Sequence, residues 1–422
     1  MSPAPPAGRT YDIVVYGASS FVGRLVCKYL AKNARGAKWA AAGRSKEKIA
    51  GVLKELGIDS QPILVADSND EAALADVAKE TKVVITLVGP YALYGSKLVK
   101  VCAENGTHYL DLTGETPWTA KMIQSEHRKA LVGRAIIVHS CGFDSIPSDL
   151  GAFLAVKYLR EKVGAEVKVG KVRSSFKVKD TMSGGTFASA LDLLEMPRNV
   201  LSELSSNPYI LSPLPGRQRL ENKWAARLPS GWGAVFVMAP HNGQIVRRSW
   251  GLLESTAKSA RDFTYGPNFS YDEYIGVGNP VLAFFVSLIF VVGAVVLKLL
   301  PPLRWIAKRV GPKSGDGPSK QMLENGYFKS ETFAWSEDGK HCARVTQRGK
   351  GSPGYRLTAT MISECALSII HEYGRLPVLA KEGGPLTTAT AFGSVLHERL
   401  ERTGEYSFDF DMLDEGSSKK GR

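Results

Sequence analysis

Three stretches of the chain carry residue types that could do chemistry. The first is Gly17-Ala18-Ser19-Ser20-Phe21-Val22-Gly23, set between an apolar run, Ile13 to Tyr16, and a helical pattern, Phe21 to Leu30. A strand, a small-residue turn and a helix in that order make an anion site. The first N–H groups of a helix lack partners inside it, and the helix dipole adds positive charge there. The pyrophosphate of a dinucleotide is an anion that fits. Gly17 permits a tight turn with close phosphate approach, and Gly23 permits close packing of helix on strand. Ser19, Ser20, Phe21 and Val22 complete the expected contacts. The turn is glycine-poor, because the spacing G-x-x-G-x-x-G would place a glycine where Ser20 stands.

The second stretch is Gly43-Arg44-Ser45, at the end of a strand expected over Trp39 to Ala42. A site for NAD usually offers Asp or Glu here to the ribose 2′-hydroxyl, whereas the nearest acid in this chain is Glu47. A guanidinium forks onto phosphate. Arg44 and Ser45 therefore point to a 2′-phosphate, and NADP(H) is favoured over NAD(H). Asp67, after the run Pro62 to Ala66, is placed beside the adenine. Gly89-Pro90 ends the run Lys82 to Val88, at the carboxyl end of a parallel strand where ligands of such sheets bind.

The third group comprises the proton donors. Hydride transfer between NADPH and a C=C, C=N or C=O group needs one. Tyr91 and Tyr94 follow the strand-end turn. Cys141 and Asp144 lie in His139-Ser-Cys-Gly-Phe-Asp-Ser-Ile-Pro-Ser-Asp-Leu-Gly151, where Ser148 or Asp149 would cap a helix over Gly151 to Leu159. Ser183-Gly184-Gly185-Thr186 reads either as a second anion-binding helix start or as a plain capping turn. No Tyr-x-x-x-Lys pair starts at Tyr91 or Tyr94.

The elements that must position these residues alternate. Further strands are expected at His108 to Leu112 and Ala135 to His139. Helices are expected at Glu71 to Glu80, Ser96 to Glu104 and Trp118 to Leu131. Such alternation predicts an α/β fold with a parallel sheet over 11–150, a Rossmann NAD(P)-binding domain, after a disordered leader 1–10. The 422 residues, 44% of them hydrophobic, allow two or three cores. Five scattered cysteines with no metal-like spacing suit a reducing compartment and no bound metal. The net charge of +13 comes with no nucleic-acid-recognition motif, so no nucleic-acid partner is expected.

A second feature lies at 277–312. No charged residue occurs from Tyr274 to Leu297, and Val281 to Leu297 is almost wholly apolar. As a helix it would be roughly 26 Å long, the short limit for a bilayer. Pro301-Pro302 breaks it. Leu303 to Val310 then shows a basic amphipathic pattern, with Arg304, Lys308 and Arg309 beside Trp305. This predicts attachment of 281–310 to a membrane or lipid-droplet surface, with both flanks on the cytosolic face. A helix buried in a large core is the alternative. Endoplasmic reticulum, mitochondrion and droplet are all open as locations, and so is a homodimer.

The motifs GASSFVG, AGRS, LVGPYALYG (87–95), HYLDLTGE (108–115), CGFDSIPSDLG (141–151) and SGGT (183–186) occur in an order similar to the saccharopine-dehydrogenase-like oxidoreductases, among them the bacterial trans-acting enoyl reductases of glycolipid synthesis. GGPLTTATAFGSVLHERLE, Gly383 to Glu401, resembles that family's closing helix. The resemblance implies a Rossmann domain with NADP(H) held at Gly17, Ser20, Phe21, Val22, Gly23 and Arg44. It implies a second α/β (α+β) domain from 151–276 and 313–382, a helix at 383–410 returning to the first domain, and a tail at 411–422. The family also includes membrane- and lipid-droplet-associated members, and the apolar segment moves the expected substrate from free amino acids toward a lipid or lipid-linked group. Gly142-Phe-Asp-Ser-Ile-Pro departs from the Gly-Leu-Asp-Pro-Gly-Ile-Asp type of true saccharopine reductases, and the apolar segment is foreign to them. Lysine metabolism is thus the less favoured role, and a non-catalytic NADP-binding lipid-surface protein is the other alternative.

Overall fold

The computed structural model describes residues 8–181, 184–216, 223–259, 262–312 and 317–413. The first part runs β1 (Tyr11–Tyr16), α1 (Phe21–Asn33), β2 (Trp39–Gly43), α2 (Lys46–Glu55), β3 (Ile63–Val65), α3 (Glu71–Glu80), β4 (Thr81–Thr86), α4 (Tyr91–Tyr94), α5 (Ser96–Glu104), β5 (His108–Leu110), α6 (Thr116–Val132), β6 (Ile136–Val138) and α7 (Ile146–Val163). Next come β7 (Val169–Lys179), α8 (Gly184–Glu195), α9 (Arg198–Ser206), β8 (Ala226–Leu228), β9 (Gly231–Val235), α10 (Ala239–Thr256), β10 (Ser270–Val277), α11 (Pro280–Leu299) and α12 (Pro301–Val310). The chain closes with α13 (Lys320–Asn325), β11 (Tyr327–Ser336), β12 (Cys342–Lys350), α14 (Thr358–Glu372), α15 (Val378–Glu382), β13 (Gly384–Leu386), α16 (Thr388–Ala391), α17 (Ser394–Arg402) and β14 (Tyr406–Leu413).

Two sheets result. The first has the order β13-β6-β5-β4-β1-β2-β3 and is parallel throughout. Its order reverses between β1 and β4, which is where α/β sheets open a ligand crevice. Its central strands β1, β2 and β4 are buried on both faces, which explains their continuous apolar runs. Ile13 and Val15 face α1 and α14, while Val14 and Tyr16 face the layer of α3, α5 and α6. Each such fully buried side chain contributes about 1.5–3 kcal/mol. The second sheet, β14-β12-β11-β7-β10-β9-β8, is mixed, with β7 and β10 parallel and its other pairs antiparallel.

The two sheets share one hydrophobic core. Ile13, Val15 and Ile85 of the first belong to the same cluster as Val172, Ala334 and Val345 of the second. The division expected at 150 falls inside α7, a helix that starts at the rim of the first sheet and packs on β11 and β12. The segment 383–410 also differs from a simple returning helix. It opens with β13, which pairs with β6 as the seventh strand of the first sheet. It ends in β14, which runs to Leu413 on the edge of the second sheet beside β12. The expected tail therefore begins inside a strand, and its residues 414–422 lie outside the described residues. Of the expected disordered leader, 1–7 lie outside them too, while Arg9 donates to the carbonyl oxygens of Ala78 and Asn105.

The apolar segment forms α11. Asn279 caps it by accepting from Leu282 N at 2.8 Å, Pro280 starts it, and Pro301-Pro302 ends it. Within it only Ala283 and Ser287 are buried. Ser287 Oγ donates to Trp224 O and accepts from Val235 N, which fastens this face to β9. The other faces expose Val281, Phe285, Ile289 and Leu299. A buried core helix is thereby excluded.

Candidate active site

The cofactor turn is built from the top of β1. Gly17 N donates to Ala42 O at 2.8 Å, and Gly17 has φ +90°, where a side chain is strained. A Cβ on Gly17 would stand 2.8 Å from Val88 Cγ2, and one on Gly23 only 2.3 Å from the Gly17 carbonyl oxygen. Both glycines are thus required by contact. Ser20 is the N-cap of α1, its Oγ accepting from Gly23 N at 3.0 Å. Helix geometry leaves the N–H groups of Phe21 and Val22 open toward the crevice. Ser19 is exposed beside them, and the Phe21 ring packs edge-on against Tyr355 at 5.3 Å.

Arg44 is exposed at the end of β2. Ser45 caps α2, accepting from Lys48 N, and its hydroxyl donates to Glu47. The nearest acid is thus folded into the cap. Asp67 accepts from Asn69 N at 2.8 Å. Between Arg44 and Asp67 lies Tyr16, whose OH donates to Ala66 O. Burial pushes that phenol up to about 12, Asp67 adds to the rise and Arg44 opposes it. An anion cradle formed by glycine contact, open amides and a basic strand end suits NADP(H), which supplies a hydride when bound.

Across the switch point, Gly89-Pro90 is a cis peptide leading into α4. The Glu115 carboxylate accepts from Tyr91 N at 2.7 Å and Ala92 N at 2.8 Å. Of the four expected proton donors, two are placed elsewhere. Tyr91 is buried beside Trp118; its OH donates to Thr86 O and accepts from Leu112 N, and burial pushes it well up. Cys141 is fully buried in the shared core, its Sγ 3.4 Å from Val138 O, and burial pushes its thiol well up. Both lack access to a ligand. Tyr94 is 38% exposed on α4 and Asp144 is half-buried in the turn before α7, so these two keep some access to solvent.

The turns after β5 and β6 are cross-tied by residues that motif reading did not single out. Asp111 is fully buried and accepts from His139 Nδ1 at 2.6 Å, Ser140 N at 2.9 Å and Thr113 N at 3.0 Å. Ser140 has φ +63°, and its Oγ donates to Thr113 O. It therefore accepts from His241 Nε2 at 3.0 Å, which leaves His241 Nδ1 to accept from Thr116 Oγ1 at 2.8 Å. Burial lowers His241 to about 4, consistent with that neutral tautomer. Next in α10, Asn242 accepts from Ser145 Oγ and donates to Glu273 Oε1, while Ser148 and Tyr271 donate to Glu273 Oε2. Burial raises Glu273 to about 7.

Ser148 and Asp149, expected as caps, are inside α7, whose N-cap is Ser145. Asp149 instead accepts from Ser249 Oγ, from Thr388 Oγ1 at 2.8 Å and from Ala389 N at 2.7 Å, and so ties α7 to the first turn of α16. Ser183 of the glycine turn lies outside the described residues. The HYLDLTGE stretch already held Asp111 and Glu115 as acids just past a strand. His241, Asn242 and Glu273 carry no comparable spacing signal.

The chain is similar to known proteins over most of its length. Residues 13–138 match the saccharopine dehydrogenase NADP binding domain. A Mycobacterium tuberculosis protein named provisionally as a trans-acting enoyl reductase is 39% identical over 421 residues, covering 94% of this chain and 96% of its own. The trans-acting enoyl reductase of Mycobacterium leprae is 34% identical over 425 residues, covering 94% and 97%. Among solved structures, apo saccharopine dehydrogenase (L-Glu forming) from Saccharomyces cerevisiae overlays with a TM-score of 0.49 at 13% identity, covering 96% of this chain and 100% of that one. The cradle is that of an NADP(H)-dependent oxidoreductase, and the chain belongs to the saccharopine-dehydrogenase-like family that includes the trans-acting enoyl reductases.

Proposed function

We propose that this protein uses NADPH to reduce a conjugated double bond of a lipid or lipid-linked acyl substrate at a membrane surface. The hydride goes to the β-carbon and a proton to the α-carbon, so the alkene becomes a single bond and NADPH becomes NADP+. Relatives named as trans-acting enoyl reductases support the reaction class. The observation that carries the lipid assignment is α11, a 20-residue apolar helix in which only Ala283 and Ser287 are buried. Such an apolar surface is too large for a monomer in water and suits insertion into a lipid layer. Its sole charged residue, Lys298, stands in the last turn, and α12 follows with exposed Trp305 beside Arg309. A layer entered from one side keeps both flanking segments in the compartment that holds the cofactor.

Asp144 and Tyr94 are the two side chains that support a proton-donor role. NADPH oxidation with an enoyl thioester, followed at its absorbance band, tests the reaction. Turnover on saccharopine but not on enoyl substrates would replace this reading by amino-acid metabolism. Stoichiometric NADPH binding without turnover on either would favour a non-catalytic lipid-surface role. Deletion of 281–310 should move the protein from the membrane to the soluble fraction, and a wild-type protein already soluble without detergent would overturn the attachment.

A further inference from the structure

The basic pattern of α12 is not all turned outward. Arg304 Nε lies 3.0 Å from Glu195 Oε1, and its Nη1 donates to the carbonyl oxygens of Leu297 and Lys298. Lys308 Nζ reaches Asp192 Oδ1 at 3.2 Å and Glu195 Oε2 at 2.8 Å. Two acids three apart on α8 thus clamp two cations four apart on α12. Arg309, over the Trp305 ring at 5.2 Å, and Lys298 meet no acid among the described residues. The pairing is weak by its surroundings. The carboxylates of Asp192 and Glu195 are 49% and 41% exposed, and ion pairs of this kind are screened by salt and readily exchanged.

α8 itself packs against α11 and α12. The next turn of chain continues the contact: a Cβ on Gly311 would fall 2.2 Å from the Phe187 ring. Beyond it, Gly317 lies against Phe21 at the start of α1, where a Cβ would fall 1.9 Å from the ring. The clamp therefore joins α8 to α12, which packs on the apolar helix α11.

We propose that Asp192 and Glu195 are an internal substitute for an anionic lipid surface, which holds Arg304 and Lys308 until phosphate-bearing head groups displace it and release α8. This rests on the membrane attachment proposed above and adds a device to it. In solution the carboxylates satisfy the cations. At an anionic surface, Lys298 and Arg309 make the first approach, each adding about fivefold to partitioning. Arg304 and Lys308 then exchange carboxylate for phosphate, and the two acids, repelled by the same surface, carry α8 away.

The test uses the full chain with phosphatidylcholine vesicles and with mixed phosphatidylcholine–phosphatidylserine vesicles. Co-sedimentation gives the affinity, and amide hydrogen exchange over 184–195 gives the state of α8. The wild type should bind both, more tightly the mixed ones, with exchange over 184–195 speeding only there. Asp192→Asn with Glu195→Gln should bind mixed vesicles about tenfold more tightly, leave phosphatidylcholine binding unchanged and exchange quickly without lipid. A charge swap, Asp192→Lys and Glu195→Lys with Arg304→Glu and Lys308→Glu, should restore slow exchange yet lose its response to phosphatidylserine. Unchanged affinity of the neutral pair, or unchanged exchange over 184–195 on mixed vesicles, would overturn the clamp while leaving attachment intact. No binding of the wild type to either vesicle would overturn attachment itself.

Discussion

Replacing Arg44 with alanine should separate the two nicotinamide cofactors. Arg44 stands exposed at the end of β2, and the neighbouring acid, Glu47, is occupied by the cap of α2. Its guanidinium is therefore the charged group available to a 2′-phosphate at that strand end. Hydrogen bonds to charged groups contribute about 1.5–3 kcal/mol, and solvent exposure argues for the lower end, about 1.5–2 kcal/mol. Arg44→Ala should then weaken NADPH binding by about 10- to 30-fold and leave NADH binding within about twofold. Titration calorimetry of both cofactors on wild type and variant measures this directly. Equal losses for the two would mean that Arg44 supports the turn rather than the phosphate, and no loss for either would remove it from the site.

Two further substitutions probe the frame of the site. Gly23→Ala places a Cβ against two main-chain carbonyl oxygens that cannot swing aside, at 2.3 and 2.8 Å. It should cost about 1–3 kcal/mol of stability and lose NADPH affinity, and an unchanged melting temperature with unchanged affinity would refute the packing argument. Glu273 is raised by burial to about 7, so its contribution is fully present below the unfolded value near 4.5 and is lost as pH rises through about 7. That shift corresponds to roughly 3 kcal/mol between those pH values. Glu273→Gln should flatten the pH dependence of urea unfolding across this window, whereas an unaltered slope would place the titration elsewhere.

Much of the first sheet can be read from local chemistry. Glu71–Glu80 and Ser96–Glu104 are helices over the expected spans, the former because Asp70 caps it by accepting from Ala73 N. Periodicity and caps are near-neighbour effects, and they survive folding. The start of α7 was not legible because residues that cap helices also serve distant partners. Asp149 receives Thr388 and Ala389, far along the chain, and Pro147 sits inside the first turn, where proline is tolerated. Tyr91 and Cys141 illustrate the limit for the site. Their side chains can donate a proton, but which face of the sheet they meet is decided by Trp118 and by the shared core, and only packing reveals it. His241 and Asn242 belong to the rim because α10 crosses it, and no spacing in the sequence states that crossing.

The short strand at Gly384–Leu386 has a consequence for synthesis. It completes the sheet begun at Tyr11, so the nucleotide-binding half stays an edge short while most of the polypeptide is made. During that interval β6 presents unpaired backbone groups, the surface by which nascent chains pair wrongly. Closure of the seven-stranded sheet should therefore wait until Gly384–Leu386 has been synthesised.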